Sequence, residues 1–177
     1  TLQLGWEGDN WGLAALFSKV QNGQDLIASA SPFVKDHFSD RGVTNAYALG
    51  GFWQPLESGW LPSVSLGWGI NQSDTQRKGQ VNNSQSWRVG LEWNDVFIVG
   101  NNAGMAVGQP VIATELRGDD NPADGQFIWE WWYQFQVTDS IGITPALFYL
   151  SRPMGEVIPE GSTFQQLGGL IKTTFVF

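Results

Sequence analysis

Most of the chain alternates apolar and polar residues with a period of two, the mark of strands with two unlike faces. Nine such segments fall at 1–7, 11–21, 43–54, 60–71, 84–94, 95–107, 126–137, 141–151 and 163–177. Most run to about ten residues, longer than the five or six of an ordinary globular strand and matched to a tilted membrane strand. In 126–137, Phe127, Trp129, Trp131, Tyr133 and Phe135 share one face, and Glu130, Trp132, Gln134 and Gln136 the other. In 84–94, Trp87, Val89, Leu91 and Trp93 oppose Arg88, Gly90 and Glu92. In 60–71, Trp60, Pro62, Val64, Leu66, Trp68 and Ile70 oppose Ser63, Ser65, Gly67, Gly69 and Asn71. The last segment sets Ile171, Phe175 and Phe177 against Lys172 and Thr174. One face is too apolar for water and the other small or polar. The pattern therefore predicts an all-β antiparallel transmembrane β-barrel, with one face on lipid and one on a hydrated lumen. Segment 95–107 fits least, because Val96 to Val99 are apolar on both faces; either it packs against an inward-folded loop or its register is different.

The connections alternate in length. Short turns are expected at Gly8-Asp9-Asn10, Leu56-Glu57-Ser58-Gly59, Asn94-Asp95 and Thr138-Asp139-Ser140, and long polar loops at about 22–42, 72–83, 108–125 and 152–162. Short turns on one rim and long loops on the other are the habit of outer-membrane barrels, with the short rim in the periplasm. The C-terminus then lies on the periplasmic side. Trp6, Trp11, Trp53, Trp60, Trp93, Phe97 and Phe135 cluster beside the short turns, as an aromatic girdle at the headgroup boundary would. Aromatic packing inside a soluble barrel is the competing reading, but it gives no reason for the rings to track turn length. Lys19 is in phase with the apolar face near the long-loop end, where it can snorkel.

Nine strands raise a parity problem, since a closed antiparallel chain has an even number. Either 2–6 lies outside an eight-strand barrel, or the chain is the C-terminal part of a larger one. The regular alternation of Leu2, Leu4 and Trp6 and the many Gly, Ala and Ser residues on the lumen phase favour the second.

Composition adjusts this picture little. The 177 residues suit one domain over 1–177. Trp 10, Phe 11 and Gly 22 stand beside a mean hydropathy of -0.17, the mixture that alternating faces produce. No run approaches the roughly 20 apolar residues of a spanning helix. The chain starts at Thr1 without a signal peptide, as a mature form or a fragment does. Cys 0 removes disulfides and thiolate chemistry, and a net charge of -8 argues against nucleic acid as a partner.

Candidate chemistry is sparse. His37 is the sole histidine and has no nucleophile and orienting group marked out beside it, so an enzyme is not expected. The stretch from Gly118 to Gly125 carries oxygen ligands that calcium favours, but without an EF-hand spacing, and it reads as a solvated loop. No metal and no cofactor is expected. Gly67-Trp68-Gly69 and Gly168-Gly169 precede no helix that would make them phosphate cradles; they read as bends or as open lumen space. The pore-lining candidates are Arg88, Glu92, Glu130, Gln134 and Lys172, all on the lumen phase. Charges there tune ion selectivity, or brace the wall in a structural network. Trp132 on the same phase offers a stacking face for a sugar, or packs against an infolded loop.

The run Tyr133-Gln134-Phe135-Gln136-Val137-Thr138-Asp139-Ser140-Ile141-Gly142-Ile143-Thr144-Pro145-Ala146 resembles the penultimate hairpin of carbohydrate-selective, OprB-type porins. It is most similar to the variant found in cyanobacteria, often called an iron-uptake porin. The segment from Leu4 to Leu13, Gly51-Phe52-Trp53-Gln54-Pro55 and the last strand fit the same pattern. The resemblance implies a barrel of about sixteen strands, usually a homotrimer in the cell outer membrane, passing small solutes such as sugars, inorganic ions or iron passively. It also implies a wall-binding surface-layer-homology domain and a coiled coil, neither present in this chain, so the cell wall would be reached only through that other domain. The alternatives are a small closed eight-strand outer-membrane barrel with a structural or adhesion role, and a soluble ligand-binding barrel.

Overall fold

The computed structural model of the chain describes residues 1–39, 41–57, 59–119, 121–159 and 161–176. Ser58 of the second expected turn, Asp120 of the acidic loop and Phe177 of the closing strand lie outside the described residues. Among the described residues there are nine strands: β1 (Leu2–Glu7), β2 (Trp11–Gln21), β3 (Val43–Trp53), β4 (Ser63–Ser73), β5 (Val81–Asn94), β6 (Asn102–Leu116), β7 (Phe127–Thr138), β8 (Ile141–Ser151) and β9 (Gln165–Phe175). They form one all-antiparallel sheet in chain order. The sheet is open, with β1 and β9 at its edges. Among the described residues no helix is long and apolar enough to cross a membrane.

The first segment is a full member of this sheet, pairing from Leu2↔Phe17 to Glu7↔Gly12. β2 therefore has β1 on one edge and β3 on the other, and offers β9 nothing to pair with. That removes the arrangement in which 2–6 stands outside a closed eight-strand barrel.

The register carries the two faces across all nine strands. One row of partners runs Trp6, Leu13, Gly51, Leu66, Val89, Val107, Trp129, Tyr149, Leu167. The row beside it runs Gly5, Ala14, Gly50, Gly67, Arg88, Gly108, Ile128, Leu150, Gln166. A one-residue slip in any strand would swap its side chains between faces, so agreement over eight ladders is a strong constraint on register. The apolar face leaves Leu2, Leu4, Trp6, Leu13, Leu49, Leu66, Trp131, Leu147 and Ile171 exposed. The other face, called the polar face below, is mostly Gly, Ala, Ser and a few charges.

On the polar face, larger side chains lie flat on glycines of the next strand. A Cβ at Gly12 would collide with the Phe52 ring, one at Gly104 with Trp132, and one at Gly168 with Phe148. Arg88 lies across Gly67, whose Cβ would come within 3.3 Å of the Arg88 Cγ. These glycines are floors for neighbouring side chains, which replaces the expectation of bends or vacant space at Gly67 and Gly168.

The expected segment 95–107 is corrected. β6 starts at Asn102 and continues to Leu116, so half of the expected 108–125 loop is strand. Residues 95–101 form a turn, in which Asp95, Phe97 and Gly100 have φ of 58°, 62° and 90°. An extended strand excludes such angles. The turn is closed by Val96 N–H donating to Asn101 O at 2.9 Å and by Gly100 N–H donating to the Asp95 carboxylate at 2.8 Å. Its apolar residues stay outside, with Phe97 at 94 % exposure and stacked at 6.3 Å on Tyr133. Val96–Val99 lack a clean face because they are not in a strand.

The β2–β3 connection is the other departure. It contains a 3₁₀ turn (Gln24–Ile27) and a short helix α1 (Pro32–His37), where a long polar loop is expected. Ser31 caps α1 by accepting from Val34 N–H at 3.0 Å, and Pro32 supplies a fixed φ at the first turn. Ile27, Ala30, Phe33, Val34 and Phe38 pack with Val81 of β5 and with Val111 and Ala113 of β6, the cluster that forms the hydrophobic core. Ala30 makes a parallel bridge to Val111. Each Val, Ile or Phe side chain so taken from water stabilises by about 2 kcal/mol, which is ample to hold a loop in place.

Candidate functional site

Ala113 pairs with Ser84, which pairs with Asn71, so the strand positions beneath the loop belong to the polar face. The β2–β3 connection thus folds over that face at the long-loop ends of the strands. Thr44, Ala46, Ser73 and Ser84 are buried there. The hydroxyls satisfy one another where they meet, as Thr44 and Ser73 do at 3.0 Å. Further along the strands the same face opens. A cavity of about 470 Å³ lies between Ser29 of the loop and a floor that includes Ala14, Ala48, Gly50 and Gly67, with Arg88 as its charged wall.

All five expected pore-lining residues fall on the polar face, in phase with one another by register. Arg88 stands opposite Gly67 and Gly108, Glu92 opposite Ser63 and Gly104, and Glu130 opposite Ala106 and Phe148. Gln134 faces Asn102, and Lys172 faces Thr144. They are brought to one face but not into one cluster. Among the described residues no ion pair joins Arg88, Glu92, Glu130 or Lys172, so the bracing network expected as their alternative role is not formed in the open sheet. Arg88 alone borders the cavity beneath the loop. Its guanidinium sits on glycine rather than beside a carboxylate.

Trp132 packs on Gly104 and remains part-exposed beside a cavity that Ala146 and Leu170 also line. His37 is engaged inside its own helix, its Nδ1 3.0 Å from Phe33 O and its ring stacked on Phe33 at 4.1 Å. Among the described residues no group of three or more His, Asp or Glu side chains is placed to hold a metal ion. Within the acidic stretch, Asp124 departs from the expectation of a solvated loop: it is 1 % exposed. Its carboxylate accepts from Ser31 Oγ at 2.6 Å and from Ala113 N–H at 2.8 Å. Asp124 and the infolded loop are the functional elements that the pattern of the sequence does not reveal. A six-residue helix is too short to show a period.

The apolar face is exposed along the whole sheet. Soluble monomers rarely expose a contiguous apolar patch beyond a few hundred Å², whereas here the exposed apolar residues run from β1 to β9. Lys19, in phase with them, stands opposite Asn45 near the long-loop end.

No family model matches the chain, and no solved structure matches it. It is 25% identical over 166 residues to Uncharacterized protein alr4550 of Nostoc sp., a match covering 93% of this chain and 27% of that protein, so the chain spans about a quarter of the relative's length.

Proposed function

We propose that the chain is the C-terminal part of an outer-membrane porin barrel of the OprB-like kind, passing small solutes by passive diffusion. The observation that carries the reading is the pair of unlike faces held in register over nine strands, with a loop folded over the polar one. Strands of 11 residues, rising about 3.3 Å each and tilted by about 45°, span roughly 25 Å, the height of a membrane barrel's apolar band. Lipid then covers the apolar face, and the aromatic residues near the short turns sit at headgroup level. β1 and β9 run in the same direction, so closure takes an odd number of further strands, which a longer chain supplies. Assembly as a trimer belongs to the same reading.

The mechanism has no chemical step. The polar face lines a hydrated path, and the infolded β2–β3 loop narrows it where Arg88 presents an unpaired positive charge over a glycine floor. Sugars, inorganic ions and iron complexes are the solute classes that fit a passive pore. The test is reconstitution of the purified full-length protein, with the further strands that close the barrel, in planar lipid bilayers. Stepwise ohmic conductance is expected, and Arg88→Glu is expected to move the reversal potential in a salt gradient towards cation preference. A protein that stays soluble without detergent and forms no channels would sink the proposal.

A further inference from the structure

Asp124 bears directly on how that path is shaped. Its buried carboxylate is bonded by protein donors at both oxygens: Oδ2 accepts from Ser31 Oγ and Ala113 N–H, and Oδ1 accepts from Glu156 N–H at 3.4 Å. Those donors come from the β2–β3 loop, from β6 and from the β8–β9 connection, while Asp124 itself belongs to the β6–β7 connection. One side chain therefore ties three connections to a strand. The surroundings reinforce it. The Glu156 carboxylate accepts in return from Ala123 N–H, and Arg152 donates to Gly125 O at 3.3 Å and Gly155 O at 3.1 Å. Gly155 has a φ of 56°, and a Cβ there would collide with Asp124 Oδ1. With these donors in place the buried charge is compensated; with any one missing it is left in a poorly solvated pocket, which is costly.

Ser31 makes the link to the loop specific. Its hydroxyl gives its proton to Asp124 and accepts from Val34 N–H, so the same oxygen that caps α1 is held by the carboxylate. Val34, fully buried in the core cluster, is then placed by Asp124 through Ser31. We infer that Asp124 is the positioning residue that clamps the β2–β3 loop over the polar face and thereby sets the bore of the path beneath it. The bore rests on the porin reading; the clamp does not. Loop release and pore opening are thus separable outcomes.

The experiment compares wild type, Asp124→Ala, Ser31→Ala and the double variant in detergent and in planar bilayers. Ser31→Ala leaves the carboxylate and its two backbone donors in place, so it reads the clamp even if the Asp124 variant folds poorly. Amide exchange over 24–38 is expected to speed up about tenfold or more in each single variant, with β7–β9 unchanged, as loss of a buried charge-assisted bond predicts. Single-channel conductance is expected to rise in both. The double variant is expected to go no further than Asp124→Ala, because the two residues act as one unit. Wild-type exchange in both single variants overturns the clamp. Faster exchange with unchanged conductance overturns the control of the bore. A wild-type protein without channels overturns the porin reading, and exchange then still decides the clamp.

Discussion

The two ends of the same strands are built on different terms. At the long-loop end lie the largest fully buried side chains, Val34, Val81, Thr75, Asp124, Ser31 and Ser84. At the short-turn end Phe97, Val99, Trp60 and Leu56 stand out at 94 %, 86 %, 84 % and 81 % exposure. One end makes its own interior from a loop folded onto the sheet. The other presents rings and aliphatic groups outward, as a structure completed by a lipid interface does. The difference teaches that stability in this chain is local. A change at the long-loop end breaks packing, whereas a change at an exposed ring or aliphatic residue of the short-turn end alters mainly what the surroundings see. The buried Asn101, bonded to Tyr133 and Gln136, is the exception there.

The sharpest way to break that contrast is Val34→Asp. A charge at a fully buried position of the loop core is expected to destabilise the loop by about 4 kcal/mol, through desolvation and lost packing. Exchange protection over 24–38 should vanish while β7–β9 keep theirs, and loss in all strands alike would show that stability is shared. Gly155→Ala comes next. Its positive φ and the collision with Asp124 predict a cost of about 2 kcal/mol, read as a lower unfolding midpoint in detergent. Trp60→Ala at the other end should change unfolding in micelles by no more than about 0.5 kcal/mol, since the side chain is 84 % exposed. Its effect should appear instead as weaker partition into lipid vesicles. A large loss of stability in micelles would mean that the short-turn end has a protein interior after all.

How much of this is legible in the sequence follows from where period two survives. β2 and β8 have the bounds that alternation predicts, and the opposed sets in 84–94 and 126–137 keep their faces, as does that of 60–71 from Ser63 onward, with Trp60 and Pro62 lying before the strand. Alternation fails at 95–101, because the chain turns with residues of positive φ, and an apolar composition conceals that. It is also blind to the β2–β3 loop. Ile27, Val34 and Phe38 look like scattered hydrophobic residues in a polar stretch until β5 and β6, far along the chain, give them something to pack on. Asp124 is hidden in the same way. A carboxylate in a Gly- and Asp-rich stretch reads as solvated, and only the tertiary fold supplies Ser31 and Glu156 as its donors. Arg88, Glu92, Glu130, Gln134 and Lys172 are legible in the sequence as members of one face, but the selection of Arg88 by the cavity beneath the loop is not.

The rings that rest on glycines have an evolutionary consequence. Gly12 with Phe52, Gly104 with Trp132 and Gly168 with Phe148 each occupy one volume between two adjacent strands. Neither member of a pair is free to drift by itself: a side chain gained at the glycine evicts the ring, and a ring lost leaves bare backbone. Descendants of this chain should therefore exchange the two together, trading a ring on one strand for a side chain on the next, and such paired exchanges would record in sequence which strands have always been neighbours.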